Sequence, residues 1–156
     1  MHKLGHHGIS AIATSPIVLW LIYTNNNLLA LFAILTTLFT ANIPDWDLKI
    51  PLMTHRGVSH TIWVPFIIGG MITGISYSVN GTIGIFTTVI MLTTFVSITS
   101  HIVSDTLTPS GAKLFYPIKD KVYTYNMVYS ANSIVNGSLG VVSLLIYMLY
   151  FQAIIS

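Results

Sequence analysis

Pro44-Asp45-Trp46-Asp47-Leu48-Lys49-Ile50-Pro51-Leu52-Met53-Thr54-His55-Arg56-Gly57-Val58-Ser59-His60 gathers two of the chain's four acidic residues and two of its six histidines. The sequence on either side is apolar. Over all 156 residues, 53% are hydrophobic and 6% charged, and the mean hydropathy is +0.77. A soluble domain carries about 25% charged residues. Too little polar surface remains here to coat a water-soluble globule, so the composition points to an integral membrane protein. The ionisable stretch at 44–60 is then a break between membrane-embedded helices, and half of a candidate metal site at the membrane surface.

Working outward from that break, apolar runs cover residues 9–23 and 28–43 before it and 61–79, 82–105 and 134–155 after it. They predict an all-α bundle of about five spans in a single domain, 1–156, with an amphipathic segment at 112–133. A spanning helix needs about 20 apolar residues, with a range of roughly 17–25. The last three runs meet this length and the first two are short. Pro16 is expected to kink the first helix. A short positive start before an apolar run fits a signal peptide, but no small-x-small cleavage site follows it, so a retained helix is expected. Asn25-Asn26-Asn27 and Asn80-Gly81 read as turns.

Five crossings put the N-terminus, residues 44–60 and residues 105–133 on one side. Lys3, Lys49, Arg56, Lys113, Lys119 and Lys121 all fall there, and by the positive-inside rule that side is cytoplasmic, with the C-terminus outside. All four acids and all six histidines fall there too. In 112–133, Phe115, Tyr116, Tyr123, Tyr125 and Tyr129 alternate with Lys113, Lys119 and Lys121, which suits the headgroup zone or a solvated connection. Val122-Tyr123-Thr124-Tyr125 reads as one arm of a small hairpin turning at Lys119-Asp120-Lys121.

The chain has no cysteine, which excludes disulfides and thiolate ligands. A metal would be held by His, Asp, carbonyls or water, as suits zinc, manganese, iron or magnesium. The net charge of +2 is too small to indicate nucleic-acid binding.

Three clusters carry candidate chemistry. The first is His6-His7. The second is Asp45 and Asp47 with His55 and His60. The third is His101 and Asp105, four apart and therefore on one helical face, able to chelate one ion or bridge two. Asp45 and Asp47, in an extended loop after Pro44, would point towards a common site. Each has a plainer reading. Asp45 fits a turn or a pair with Lys49, and His55 and His60 fit a headgroup-facing surface. Asp105 can pair with His101 without metal. Arg56 is either a phosphate fork or a membrane-surface anchor, and Ser59 and Thr61 are candidate caps of the third helix. His2 and His7 read as surface residues.

Asn42-Ile43-Pro44-Asp45-Trp46-Asp47, His55-Arg56-Gly57-Val58-Ser59-His60, and the block from Ser100-His101 through Asp105-Thr106-Leu107-Thr108-Pro109-Ser110-Gly111 to Phe115-Tyr116-Pro117 together resemble the YdjM-type membrane-bound metal-dependent hydrolases. The order matches that family's N-terminal His, PD-x-D, HRG-[ST]-H and H-x3-D-x2-TP-x-G blocks across residues 6–117. The resemblance implies metal ligands at His6, Asp45, Asp47, His55, His60, His101 and Asp105, with His7 an alternative to His6. More distantly, His101, Asp105 and Pro109 resemble the core of the zinc-dependent phospholipase C and single-strand nuclease superfamily. This chain departs from those enzymes in lacking an N-terminal Trp ligand and in its apolar helices.

The expected function is a metal-dependent hydrolase at the cytoplasmic membrane surface that cleaves a phosphoric ester of a lipid. It would use two or three divalent ions, zinc first, with Asp47 as the base orienting a water and Arg56 stabilising charge on the phosphate. The alternatives are a membrane adaptor with a closed structural metal site, and a metal or proton transporter. The transporter ranks last because four of the five helices lack ionisable residues in their central stretches.

Overall fold

The computed structural model describes residues 1–51 and 56–155. His55 lies outside the described residues. The chain is all-helical: α1 (Lys3–Tyr23), α2 (Asn27–Thr40), α3 (Trp63–Asn80), α4 (Ile85–Thr106) and α5 (Ser133–Ile155). Two 3₁₀ helices, Pro44–Lys49 and Val58–His60, fill the break between α2 and α3. No strand occurs among the described residues. Of the hairpin expected with Val122–Tyr125 as one arm, one antiparallel bridge forms, in which Ala112 and Tyr123 exchange both backbone hydrogen bonds at 3.1 and 2.9 Å.

Helix ends follow local chemistry. After α1, Asn25 takes a left-handed φ of 57° and the Asn26 N–H donates back to the Leu21 carbonyl at 2.8 Å. Gly81, at φ 69°, closes α3 with its N–H on the Tyr77 carbonyl. Ser59 and Thr61 do not cap α3, whose cap position is Ile62 with no side-chain bond. Ser59 is instead turned to Asp47 and His60, and the Thr61 hydroxyl donates to the Val58 carbonyl.

α1 lies against α5, α4 and α2, and α3 leans on α4. Its contact with α5 depends on glycine: a Cβ on Gly8 would run into the Leu139 carbonyl, and one on Gly5 into Asn136 Oδ1. The interior is layered along the helices. At one end Val18, Leu21, Ala30, Ala33, Ile34, Val89 and Tyr150 form an apolar core. A layer of buried hydroxyls follows, in which Thr37 Oγ1 donates to Thr14 Oγ1 at 3.2 Å and Ser10 Oγ meets Ser100 Oγ at 3.0 Å. Thr14 and Ser15 donate to their own helices' carbonyls, so these polar groups stay satisfied away from water. At the other end lies the ionisable cluster.

The outer surface is apolar: Phe66, Met71 and Ile75 on α3 and Leu144, Leu149 and Phe151 on α5 are all exposed. A monomer in water rarely exposes contiguous apolar surface of this extent. By length and composition α4 (22 residues, mean hydropathy 1.6) and α5 (23 residues, 2.0) are able to cross a membrane.

Candidate metal centre

Four elements deliver the cluster. His6 comes from the first turns of α1, Asp45 from the 3₁₀ turn after α2, His60 from the second 3₁₀ turn, and His101 and Asp105 from the end of α4. His6, His60, His101 and Asp105 are fully buried, and the Asp45 side chain is 12% exposed. One ligand atom each from His6, Asp45, His101 and Asp105 falls within a 4.8 Å group.

The two carboxylates hold the centre. Asp45 Oδ1 lies 3.5 Å from both His60 Nε2 and His101 Nε2. Asp105 Oδ2 lies 3.2 Å from His60 Nε2 and 3.7 Å from His101 Nε2. Their other oxygens face His6 Nε2, at 4.0 Å from Asp45 Oδ2 and 3.6 Å from Asp105 Oδ1. Neighbouring ligands about 2.0–2.1 Å from a tetrahedral ion would stand about 3.3–3.4 Å apart. One separation, 3.2 Å, lies just below that value and the other five, 3.5–4.0 Å, lie above it and exceed a good hydrogen bond.

The far side of each imidazole explains the orientation. His101 Nδ1–H donates to the Ala41 carbonyl at 2.6 Å. Ser104 donates its proton to the His101 carbonyl, so its oxygen accepts from His6 Nδ1–H at 2.9 Å. Ser59 donates to Asp47 Oδ2 at 2.5 Å, so its oxygen accepts from His60 Nδ1–H at 2.8 Å. His60 and His101 thus turn an unprotonated Nε2 towards the carboxylates, the tautomer a metal ligand requires, while His6 Nε2 also lies 3.1 Å from the Met1 carbonyl, a contact a metal would replace. His101 Nε2 and Asp105 Oδ2 are buried without a hydrogen-bond partner. In a protein interior such atoms call for a counterpart, and a cation between nitrogen lone pairs and carboxylates supplies one. The stacked His6 and His101 rings, with centroids 3.5 Å apart, fit the same arrangement. The residues therefore fit a divalent ion.

Burial by itself would raise the Asp45 carboxyl, but His101 and His60 beside it more than reverse this and hold it well below the usual carboxylate range. Burial disfavours charge on His60, yet Asp105 and Asp45 outweigh burial and raise its pKa.

Asp47 does not sit with the group. The extended loop expected after Pro44 is a 3₁₀ turn, in which positions two apart point about 120° away from each other. Asp45 faces the cluster, whereas Asp47 Oδ2 lies behind His60, 3.5 Å from Nδ1, and accepts from the Arg56 backbone N–H at 3.1 Å. His7 faces away too, accepting from Asn42 Nδ2 at 2.7 Å. Arg56, at a left-handed φ of 63°, donates from Nη2 to Asp105 Oδ1 at 3.0 Å. Its Nη1 donates to Thr108 Oγ1 at 3.0 Å and to the Gly111 carbonyl at 3.3 Å, locking the 56–60 segment to the end of α4.

Two positions escaped sequence reasoning. Ser104 orients His6, and its place one turn before Thr108 on the cluster face of α4 was the available signal. Asn136 Oδ1 accepts from the His2 N–H at 2.9 Å while its Nδ2 donates to the Ser130 and Asn132 carbonyls. It ties the start of α1 to α5, and nothing in the sequence links positions so far apart. The Met1 amine, 2.6 Å from Asp105 Oδ1, closes this edge of the cluster.

The family model of the YdjM inner membrane protein matches residues 1–156. No curated protein and no solved structure matches.

Proposed function

The chain belongs to the YdjM inner membrane protein family, and from that premise we propose that it is a metal-dependent hydrolase acting on a phosphoric ester of a lipid at the cytoplasmic face of the membrane. The observation that carries the reading is the cluster itself: three histidines with Nε2 turned onto two carboxylates, each Nδ1 tied to a protein acceptor. His6, Asp45, His101 and Asp105 would hold a divalent ion, with His60 Nε2 facing Asp45 Oδ1 and Asp105 Oδ2 beside them. Neutral imidazoles with carboxylates suit zinc, with manganese, iron and magnesium as alternatives. A bound divalent ion would supply Lewis acidity and a water whose pKa falls to about 7.

The chain's own residues do the rest. Asp47, through Ser59, fixes the tautomer of His60 with Oδ2. Arg56 donates from Nη2 to Asp105 Oδ1 and provides fixed positive charge beside the cluster. A lipid substrate is favoured by the position of the site at one end of an apolar bundle, and by an apolar cavity of about 270 Å³ lined by Ile62, Phe66, Phe95 and Leu114, next in the chain to Lys113. We place five crossings along α1–α5, with the N-terminus and the cluster cytoplasmic and the C-terminus outside, because every Lys and Arg lies at the cluster end of the helices.

One observation favours the adaptor with a structural metal: the donors are almost wholly buried. A closed site offers no position for a water, whereas a catalytic one keeps a position open. Elemental analysis of detergent-purified protein, with phosphate release from a phospholipid panel, separates the two. The hydrolase reading expects about two ions per chain, lost together with activity in His101→Ala. One tightly held ion and no release from any lipid would establish the adaptor.

A further inference from the structure

A partly polar cavity beside the cluster has no place in that scheme. It measures about 460 Å³ and opens between Arg56, Ser110, Lys113 and Ser130, with Val122 closing one side. None of His6, Asp45, His60, His101 or Asp105 lines it. Arg56 stands at the boundary, lining the cavity while its Nη2 holds Asp105. We propose that this cavity is an anchoring site for a phosphate group carried by the substrate in addition to the ester bond cleaved at the cluster. The inference rests on the hydrolase reading for its role, though not for its chemistry.

Three features select a phosphate. First, Arg56 has hydrogen-bonding capacity to spare. Its Nε is buried without a partner, while Nη1 and Nη2 are committed to Thr108, Gly111 and Asp105. A guanidinium held in place on one edge sets a fixed positive charge in the cavity wall, which suits a multidentate oxyanion such as phosphate. Second, Lys113 lies across the cavity and pairs with the exposed Asp120 at 2.5 Å. Exposed pairs are worth little, so a doubly charged phosphate would readily replace Asp120. Third, the lining combines two cations with the hydroxyl-bearing Ser110 and Ser130. No carboxylate lines the cavity. A carbohydrate or a cationic headgroup would gain little from that set.

The cavity wall is built for its shape. Gly111 takes a φ of 61°, and a Cβ there would run into the Tyr123 carbonyl, so the 110–113 segment can close against 122–124 only with glycine at this position. The Ala112–Tyr123 bridge then holds Lys113 beside the opening.

The test is protection of lysines from acetylation, read by mass spectrometry on the full chain in phosphatidylcholine nanodiscs, both metal-loaded and chelator-treated. Glycerol 3-phosphate is the soluble probe and nanodiscs doped with phosphatidic acid are the lipid probe. We expect Lys113 to be shielded in both metal states, with Lys119 and Lys121 unchanged. We also expect glycerol 3-phosphate affinity to fall about tenfold in Lys113→Gln, a substitution at a partly exposed position that spares the fold. Shielding by glycerol 3-phosphate supports the site with a free phosphate ester as sufficient ligand. Shielding by phosphatidic acid alone supports it with the lipid as the source. Shielding that is equal at all three lysines, or absent with both probes, overturns the proposal, as does unchanged affinity in Lys113→Gln. Lys113 shielding without any hydrolysis would sink the hydrolase reading and leave the phosphate site standing.

Discussion

Asp45 and Asp47 are two residues apart, yet they act on opposite sides of one imidazole. Asp45 faces His60 Nε2 at 3.5 Å, and Asp47 reaches Nδ1 directly at 3.5 Å and through Ser59. Removing either would therefore have different consequences. Asp45→Ala takes away an oxygen that two histidines face, and metal should be lost outright. Asp47→Asn or Ser59→Ala leaves the donor set whole but frees the ring to adopt the other tautomer. Metal affinity should fall by about 10–100-fold, the usual cost of losing an outer partner of a ligand histidine. Competition with a fluorescent zinc chelator measures both. An Asp47→Asn variant as empty as Asp45→Ala would place Asp47 among the direct ligands.

At the level of elements, the contact between α1 and α5 decides where His6 stands. Gly8 meets the Leu139 carbonyl at backbone distance, and Asn136 pins the His2 N–H. Gly8→Ala should push α5 off α1 and cost about 1–3 kcal/mol, the usual range for overpacking a close contact. A thermal melt in detergent should show the drop, with metal affinity falling too, because the start of α1 shifts with it. A melt unchanged from wild type would mean that α5 docks loosely. Gly111→Ala tests the other end. Its left-handed φ and the nearby Tyr123 carbonyl both oppose a side chain, for a cost of about 1–3 kcal/mol. The damage should be local to 110–125, with hydrogen exchange rising at the Ala112 and Tyr123 amides and not in α4.

For the whole molecule, the cluster joins four separate elements at one end of a bundle whose apolar core lies at the other. A metal that binds only this folded arrangement should stabilise it by about 2.7 kcal/mol at a free concentration 100 times its Kd. Chelation should lower the melting temperature of the wild type and leave that of His101→Ala unchanged. A wild-type melt insensitive to chelator would remove the metal from the fold. The absence of cysteine makes topology directly measurable by single-cysteine labelling. Asn26→Cys should react from outside the cell and Lys119→Cys from the cytoplasm. Labelling of both from the same side would overturn the five-crossing arrangement. The lengths make that arrangement a genuine question: α2, at 14 residues, spans about 21 Å at 1.5 Å per residue, short of a hydrocarbon core of about 30 Å.

The sequence by itself determined that the chain is a helical membrane protein, because a charged fraction of 6% leaves no other solvent for its surface. It also isolated the residues from which a site could be drawn, since His and Asp stand out where little else ionises, although the first helix begins at Lys3 rather than at residue 9 and so carries His6 and His7 itself. Local spacing was enough to put His101 and Asp105 on one face, because i and i+4 meet in any α-helix. Only the tertiary structure decided which candidates meet. His6 was separated from His7, and Asp45 from Asp47, by the facing of two turns, which depends on what each turn packs against. Arg56 proved to be bound to Asp105 through a guanidinium reaching across from another element. Ser104 and Asn136 became visible only as partners of groups 98 and 134 residues away. Periodicity records the near neighbours of a residue, while the geometry of a metal centre is set by contacts between segments that the chain itself keeps far apart.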